Sequence, residues 1–469
     1  MNRVKELFNN TLLFTFGNIG TKFINFLMVP LYTYMLSQGE YGTIDLIFSI
    51  TTLVAPVIML NISEAVIRYC LDKNPDISKI INITTTVTFI GIVLSILCIP
   101  ILKQIDVVSG YAFYIYALLV LTAIYPTMLS YLRGTEQIKL FSISNIVNTV
   151  LMAGLNIVFL VTLKMGIEGY LLANIFSYSI TSVFILFRSK MYQYFKRVPW
   201  DSKLAKQMIK YSIALVPNSL LWWVNNSSSR FILIYFLGTA ANGLFAVAYK
   251  IPSLLTTLTQ VFSQAWQISA IKENEAEDRE AFNNKMYRIY FKFIFIVGSG
   301  VILVLKPLMR IYVSPDFYEA WRYTPLLLYG FMILALATFL GTSYYVEKNT
   351  VGNMFSAVGG AVVALLLNFI LIPTIGVNGA ALATCIGYIT VFIYRAFDTQ
   401  KYIRIKVWNK DFVLLNILFI LQMALVYFSN WASYAGGFIL FLGILFVGKE
   451  LIKEFFSILN KLLKRKKRK

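Results

Sequence analysis

The chain has 469 residues, of which 58% are hydrophobic and 14% charged, with a formal net charge of +20 and no histidine. Such a composition cannot cover a water-soluble core of this size with polar surface, so lipid is the solvent it fits. The absence of histidine removes the commonest proton shuttle, metal ligand and general base, which disfavours enzymatic schemes. Cys70, Cys98 and Cys385 lie far apart and form no CxxC pair, which supports neither a disulfide framework nor a metal site.

A hydrocarbon layer of about 30 Å needs about 20 apolar residues at about 1.5 Å rise each, and runs of that length recur along the chain. The first, Thr11 to Leu36, is too long for a signal-peptide core and precedes no small-residue cleavage pattern, so it reads as a retained helix. Helices are then expected near Tyr41 to Cys70, Ile80 to Leu102, Tyr111 to Leu132, Phe141 to Leu163 and Glu168 to Phe187. After a basic linker, six more are expected near Ile209 to Leu237, Asn242 to Ile271, Lys285 to Leu305, Tyr318 to Val346, Val351 to Ile372 and Gly376 to Phe397. A last pair, Asp411 to Ser429 and Trp431 to Ile452, precedes a basic tail. The expected organisation is an N-lobe over 1–187, a cytoplasmic linker over 188–208, a C-lobe over 209–397, a helical pair over 411–452 and a tail over 453–469.

With the N-terminus inside, about 34 of the 42 Lys and Arg residues fall in interior loops and the tail, as the positive-inside rule requires. Lys103, Lys164, Lys306, Arg310 and Arg322 fall outside, and only Lys22, Arg230 and Lys250 sit clearly within helices. The charge therefore reports topology and attraction to anionic lipid headgroups rather than nucleic-acid binding. Both termini are expected in the cytoplasm.

Two internal echoes organise the chain. An offset of about 201 positions superposes Asn25 on Asn226, Tyr34 on Tyr235, Gly42 on Gly243 and Ile50 on Ile251. Leu155-Asn156 followed by Gly166-Ile167-Glu168-Gly169 recurs as Leu367-Asn368 followed by Gly376-Val377-Asn378-Gly379. Each copy lies between the fifth and sixth helix of its block, which predicts two halves running in the same direction, related by an axis along the membrane normal.

These features together resemble the polysaccharide transporters, such as the O-antigen flippases, of the multidrug/oligosaccharidyl-lipid/polysaccharide exporter superfamily. The resemblance covers essentially the whole chain. It implies an all-α integral membrane fold of about fourteen transmembrane helices, a V-shaped bundle of two six-helix lobes plus a C-terminal pair. It also implies a flippase in the bacterial cytoplasmic membrane that moves a polyprenyl-diphosphate-linked oligosaccharide outward by alternating access for surface polysaccharide biosynthesis. Its partners would be that glycan lipid, membrane lipids and polysaccharide assembly proteins. A multidrug exporter of the same superfamily, or a membrane polysaccharide polymerase or glycosyltransferase, are the alternatives.

A Lys or Arg at mid-bilayer costs about 2.5–3.5 kcal/mol on insertion scales, so it persists where it meets water, a partner or a substrate. Lys22 and Asn25 share a face of the first helix with Asn18. The seventh helix carries Asn225, Asn226, three serines and Arg230 in succession, after Trp222 and Trp223. The eighth carries Lys250, Ser253, Thr257, Gln260, Gln264 and Gln267 at intervals of three or four, a continuous polar stripe. Lys22, Arg230 and Lys250 are the candidate contacts for a diphosphate or acidic sugars, with Asn25, Asn226, Gln260 and Gln264 as hydrogen-bonding groups. A structural alternative pairs Lys22 with Asp45. Glu64 and Arg68 read as a local i, i+4 ion pair. Asp45 is the candidate carboxylate for H⁺ or Na⁺ coupling, alongside a cap or loop role. No cofactor is expected, and the membrane potential can contribute about 2.3 kcal/mol per charge per 100 mV.

Overall fold

The computed structural model describes residues 20–195, 199–272, 277–347 and 349–450. The expected helix over 11–19, the end of the last helix at 451–452 and the tail lie outside them. Among the described residues, ten helical stretches are long and apolar enough to cross a membrane, and no strand occurs. One stretch, Ser202–Ile271, has 70 residues, about 105 Å at the helical rise and more than one crossing.

Contacts divide the chain into two compact units, Met1–Ala246 and Val247–Lys469. In the first, a helical run over residues 20–27 leads into α1 (Val29–Met35), then α2 (Gln38–Ile58), α3 (Ile62–Cys70), α4 (Ile77–Ser95) and the short α5 (Cys98–Leu102). They are followed by α6 (Ala112–Gly134), α7 (Ile138–Asn156), α8 (Gly166–Arg188) and α9 (Ser202–Ile213). The helix α10 (Val216–Lys272) is broken at Gly238, whose φ of 81° and ψ of 177° suit a residue without Cβ. The second unit contains α11 (Arg279–Tyr312), α12 (Thr324–Val346), α13 (Thr350–Ile375), α14 (Val377–Asp398), α15 (Lys410–Leu425) and α16 (Trp431–Val447).

Within the first unit, residues from the end of the basic segment onward pack on the helices before it. Lys79 pairs with Asp201 at 3.2 Å, Asn61 donates to Ser219 Oγ at 2.8 Å, and Trp223 Nε1 donates to the Ser49 carbonyl at 2.8 Å. These bonds attach α9 and the start of α10 to α2, α3 and α4.

Several boundaries differ from the apolar runs for local reasons. The long second helix is split into α2 and α3 because Leu60 and Asn61 adopt left-handed φ values of 52° and 51°. The Glu64–Arg68 pair does not form: Arg68 turns instead to Asp72, at 2.5 Å. The helix near Phe141 to Leu163 finishes in a π-type turn over Ile157–Thr162. The glycine motifs explain the turns that follow. Gly166 and Gly376 have φ of 57° and 65°, where a Cβ is strained. Gly169 and Gly379 lie against the preceding helix, with Phe159 Cβ 3.1 Å and Ile372 N 2.7 Å from the position of a Cβ.

Three cations assigned by sequence to loops lie inside helices. Lys292 and Lys306 are each 4% exposed and Arg395 is 9% exposed. The Arg395 guanidinium is held by neutral acceptors, the Ala337 carbonyl at 3.0 Å, Ser356 Oγ at 3.0 Å and Asn353 Oδ1 at 2.7 Å. On α11 the polar positions recur every seven residues, two turns apart on one face. Lys292 pairs with Asp411 at 2.8 Å. Ser299 donates to Gln422 Oε1 at 2.5 Å. Lys306 donates to Ser429 Oγ at 3.2 Å and lies 4.3 Å from the Trp321 ring centroid. Gln422 also donates to the Gly437 carbonyl at 3.2 Å, so the hairpin of α15 and α16 is joined to α11 at three levels.

Candidate functional site

Within the first unit, the two turns related by the 201-residue offset pack on one another. The first is closed by a capping box: Glu40 N–H donates to Ser37 Oγ at 3.3 Å and Ser37 N–H to Glu40 Oε2 at 2.8 Å. The second is the break at Gly238. A Cβ on Gly42 would collide with the Thr239 carbonyl and lie 2.8 Å from Gly243 N; one on Gly243 would collide with the Gln38 carbonyl, its carbon 2.9 Å away. Gln38 and Thr239 are themselves related by the offset, as are the two glycines. The contact is therefore reciprocal, as an isologous interface is.

Beside this contact, Arg230 reaches Asp45, with Nε 2.5 Å from Oδ2 and side-chain exposures of 13% and 19%. Asn242 Nδ2 donates to the Gly42 carbonyl at 2.9 Å and to Asp45 Oδ2 at 3.3 Å. Arg230 also donates to the Asn226 carbonyl one turn earlier. An aspartate paired to an arginine and an amide at a place where backbones touch is a charged latch. Its two sides come from α2 and from α10 on either side of Gly238.

Several candidate positions meet here and others stand apart. Asp45 is a helical residue bound to Arg230, and Lys22 is not its partner. Lys22 and Asn25 are exposed on the helical run before α1. Asn226 Nδ2 donates to the Trp222 carbonyl at 2.7 Å, within its own helix. Trp222 is 61% exposed, while Trp223 is occupied with Ser49. In the second unit, Gln260 and Gln264 are exposed and Lys250 is half-buried. Exposed amides and a lysine on helices this apolar need a polar medium or ligand beside them. Asn242 escaped the sequence reading. It flanks Gly243 as Tyr41 flanks Gly42, and the 201-residue offset was the signal that could have found it.

These features define a multi-pass, all-helical membrane protein. It is similar to the lipid II flippase MurJ in an inward closed conformation, with 16% identity and a TM-score of 0.65 over 97% of this chain and 99% of that one. A multidrug resistance MATE family transporter of the MOP superfamily, inward-facing, gives a TM-score of 0.67 at 13% identity, covering 81% of this chain and 95% of its own. The Vibrio cholerae MATE transporter VcmN gives 0.54 at 13% identity, covering 85% of this chain and 96% of its own. Among curated proteins none matches the sequence. Residues 7–267 match the family of polysaccharide biosynthesis proteins, and the chain belongs to that family.

Proposed function

We propose that this protein is a flippase that carries polyprenyl-diphosphate-linked oligosaccharide repeat units across the bacterial cytoplasmic membrane. The observation that carries the reading is the set of exposed polar residues on apolar helices, Lys22 and Asn25 in one unit and Gln260 and Gln264 in the other. Basic groups suit a diphosphate, with lysine acting as a point charge and amides bonding sugar hydroxyls. In this reading Lys22 supplies positive charge for the anionic headgroup. Arg230 alternates between Asp45 and substrate phosphate, so that arrival of an anion competes with the latch.

A multidrug exporter has the same fold, but organic cations call for acidic and aromatic lining, whereas the charged member of this exposed set is Lys22. An inside-negative potential favours outward movement of the negative headgroup, and protonation or Na⁺ binding at Asp45 would free Arg230 in the same way. Deleting the gene and following polyprenyl-diphosphate-linked glycan by mass spectrometry, together with single repeats on the cell surface, tests the proposal. Accumulated carrier lipid with no surface repeats is the expected result. Surface repeats in the deletion strain would move the missing step to after export, and unchanged pools would end the glycan reading.

A further inference from the structure

Two hydrogen bonds fix how the first turns of α10 are rotated. Asn61 donates to Ser219 Oγ at 2.8 Å and Trp223 Nε1 donates to the Ser49 carbonyl at 2.8 Å, so Ser219 and Trp223 are turned onto α2 and the start of α3. Asn218 and Trp222 each come one residue earlier, about 100° round the helix. Both are exposed, Trp222 to 61%. Asn225 and Asn226 follow Trp222 at i+3 and i+4, on the same side of the helix and half-buried. Each turns its Nδ2 back onto its own helix, to the Leu221 carbonyl at 3.1 Å and the Trp222 carbonyl at 2.7 Å. The carboxamide oxygens are then presented as acceptors.

The strip ends at the latch. Arg230 stands one turn past Asn226 and donates to its carbonyl, with a side chain 13% exposed. From Trp222 to Arg230 is eight residues, about 12 Å at the helical rise. Over that length the face passes from open to nearly enclosed.

An exposed indole that anchors a helix in the bilayer interface is accompanied by apolar and basic neighbours. Trp222 instead lies among amides, and residues 211–229 carry no charge. Amides turned to hydrocarbon would forfeit hydrogen bonds. A flat apolar plate beside uncharged acceptors fits a ligand with C–H faces and O–H edges, which is the chemistry of a neutral pyranose.

We propose that Trp222, with Asn218, Asn225 and Asn226, forms a neutral-sugar subsite. A pyranose ring of the cargo stacks on the indole and its hydroxyls donate to the carboxamide oxygens, while the diphosphate lies further along the helix at Arg230. The inference rests on the flippase reading and adds the residues that contact the glycan.

The full chain in detergent would be examined by native mass spectrometry with two probes, undecaprenyl diphosphate and the same carrier bearing a disaccharide of N-acetylhexosamines, beside Trp222→Ala and Trp222→Phe. Position 222 is exposed, and size-exclusion elution checks the fold; Trp222→Gln serves if the alanine variant aggregates. The native chain should bind the sugar-bearing carrier more tightly than the bare one. Trp222→Ala should weaken binding of the sugar-bearing carrier alone, by about three- to tenfold, and Trp222→Phe, which keeps a ring, should retain most of it. Equal loss for both probes would overturn the proposal in favour of a contact with the lipid tail. No loss for either would remove Trp222 from the site. Equal binding of the two carriers by the native chain would overturn the sugar subsite and leave the flippase reading standing, whereas binding of neither would end both.

Discussion

Replacing Gly42 by alanine should open the reciprocal turn contact. The new Cβ would stand 2.8 Å from Gly243 N and 2.9 Å from the Thr239 carbonyl carbon, against about 3.5–4.0 Å for comfortable packing. The backbones must part by about 1 Å, which also stretches the Asn242 bond to the Gly42 carbonyl. Overpacking of this kind costs about 1–3 kcal/mol. If the contact exists in only one state of a transport cycle, the population of that state falls by about 5- to 150-fold. A Gly39→Cys/Thr239→Cys pair reports it, because a Cβ on Gly39 lies 3.4 Å from Thr239 Oγ1, within disulfide reach. Oxidative cross-linking in membranes should be efficient in an otherwise native chain and should drop sharply when Gly42→Ala is added. Gly154→Ala, where a Cβ meets nothing within 4 Å, is the control and should leave cross-linking unchanged. If Gly42→Ala cross-links as well as the control does, the contact has room that its geometry denies, and the latch argument fails.

Asp45→Asn should destabilise the first unit by about 2–3 kcal/mol, somewhat less than a fully buried pair broken on one side. Adding Arg230→Gln should recover part of the loss, as a double-mutant cycle on thermal unfolding would show. Gly166→Ala and Gly376→Ala should each cost about 1–2 kcal/mol from the left-handed backbone, measured in the same assay, with Gly154→Ala neutral or slightly stabilising. Gln422→Ala should cost about 1–3 kcal/mol by leaving the buried Ser299 without its acceptor, and limited proteolysis should then cut first between α15 and α16. Asp201 accepts from Leu204 N–H and from Lys79, which hold its carboxyl below the ordinary value of 3.8. Its contribution is present above about pH 4 and is lost as pH falls through the depressed value. The stability difference between the native chain and Asp201→Ala should shrink over that acid range.

Apolar runs and the positive-inside rule were enough to expect an all-helical membrane protein, because in lipid the backbone has few options. The paired Gly-x-x-Gly turns were also legible, since each glycine answers a geometric demand that recurs in both copies. What a linear reading missed has a common cause. Lys292, Lys306 and Arg395 sat close enough to the ends of apolar runs to pass for loop residues, while their long stems carry the charge to acceptors inside the bundle. Asp45 had Lys22 as its visible partner because its arginine lies 185 positions away, and only packing chooses between Arg230 and the nearer Lys22. The break at Leu60 and Asn61 left no Gly or Pro at its centre, and so no punctuation to read.

The seven-residue spacing on α11 has a consequence for motion along the membrane normal. Helices in lipid have no hydrophobic penalty against sliding past each other, since the tails are as apolar as the side chains they replace. A slip of the α15–α16 hairpin by one helical turn, about 5.4 Å, would strand Lys292, Ser299 and Lys306 together, since no second set of acceptors repeats at that spacing. The three rungs therefore act as a key that admits one depth of insertion. A chain shortened before residue 411 would take Asp411, Gln422 and Ser429 away from Lys292, Ser299 and Lys306, so the terminal hairpin cannot be shed without rewriting α11.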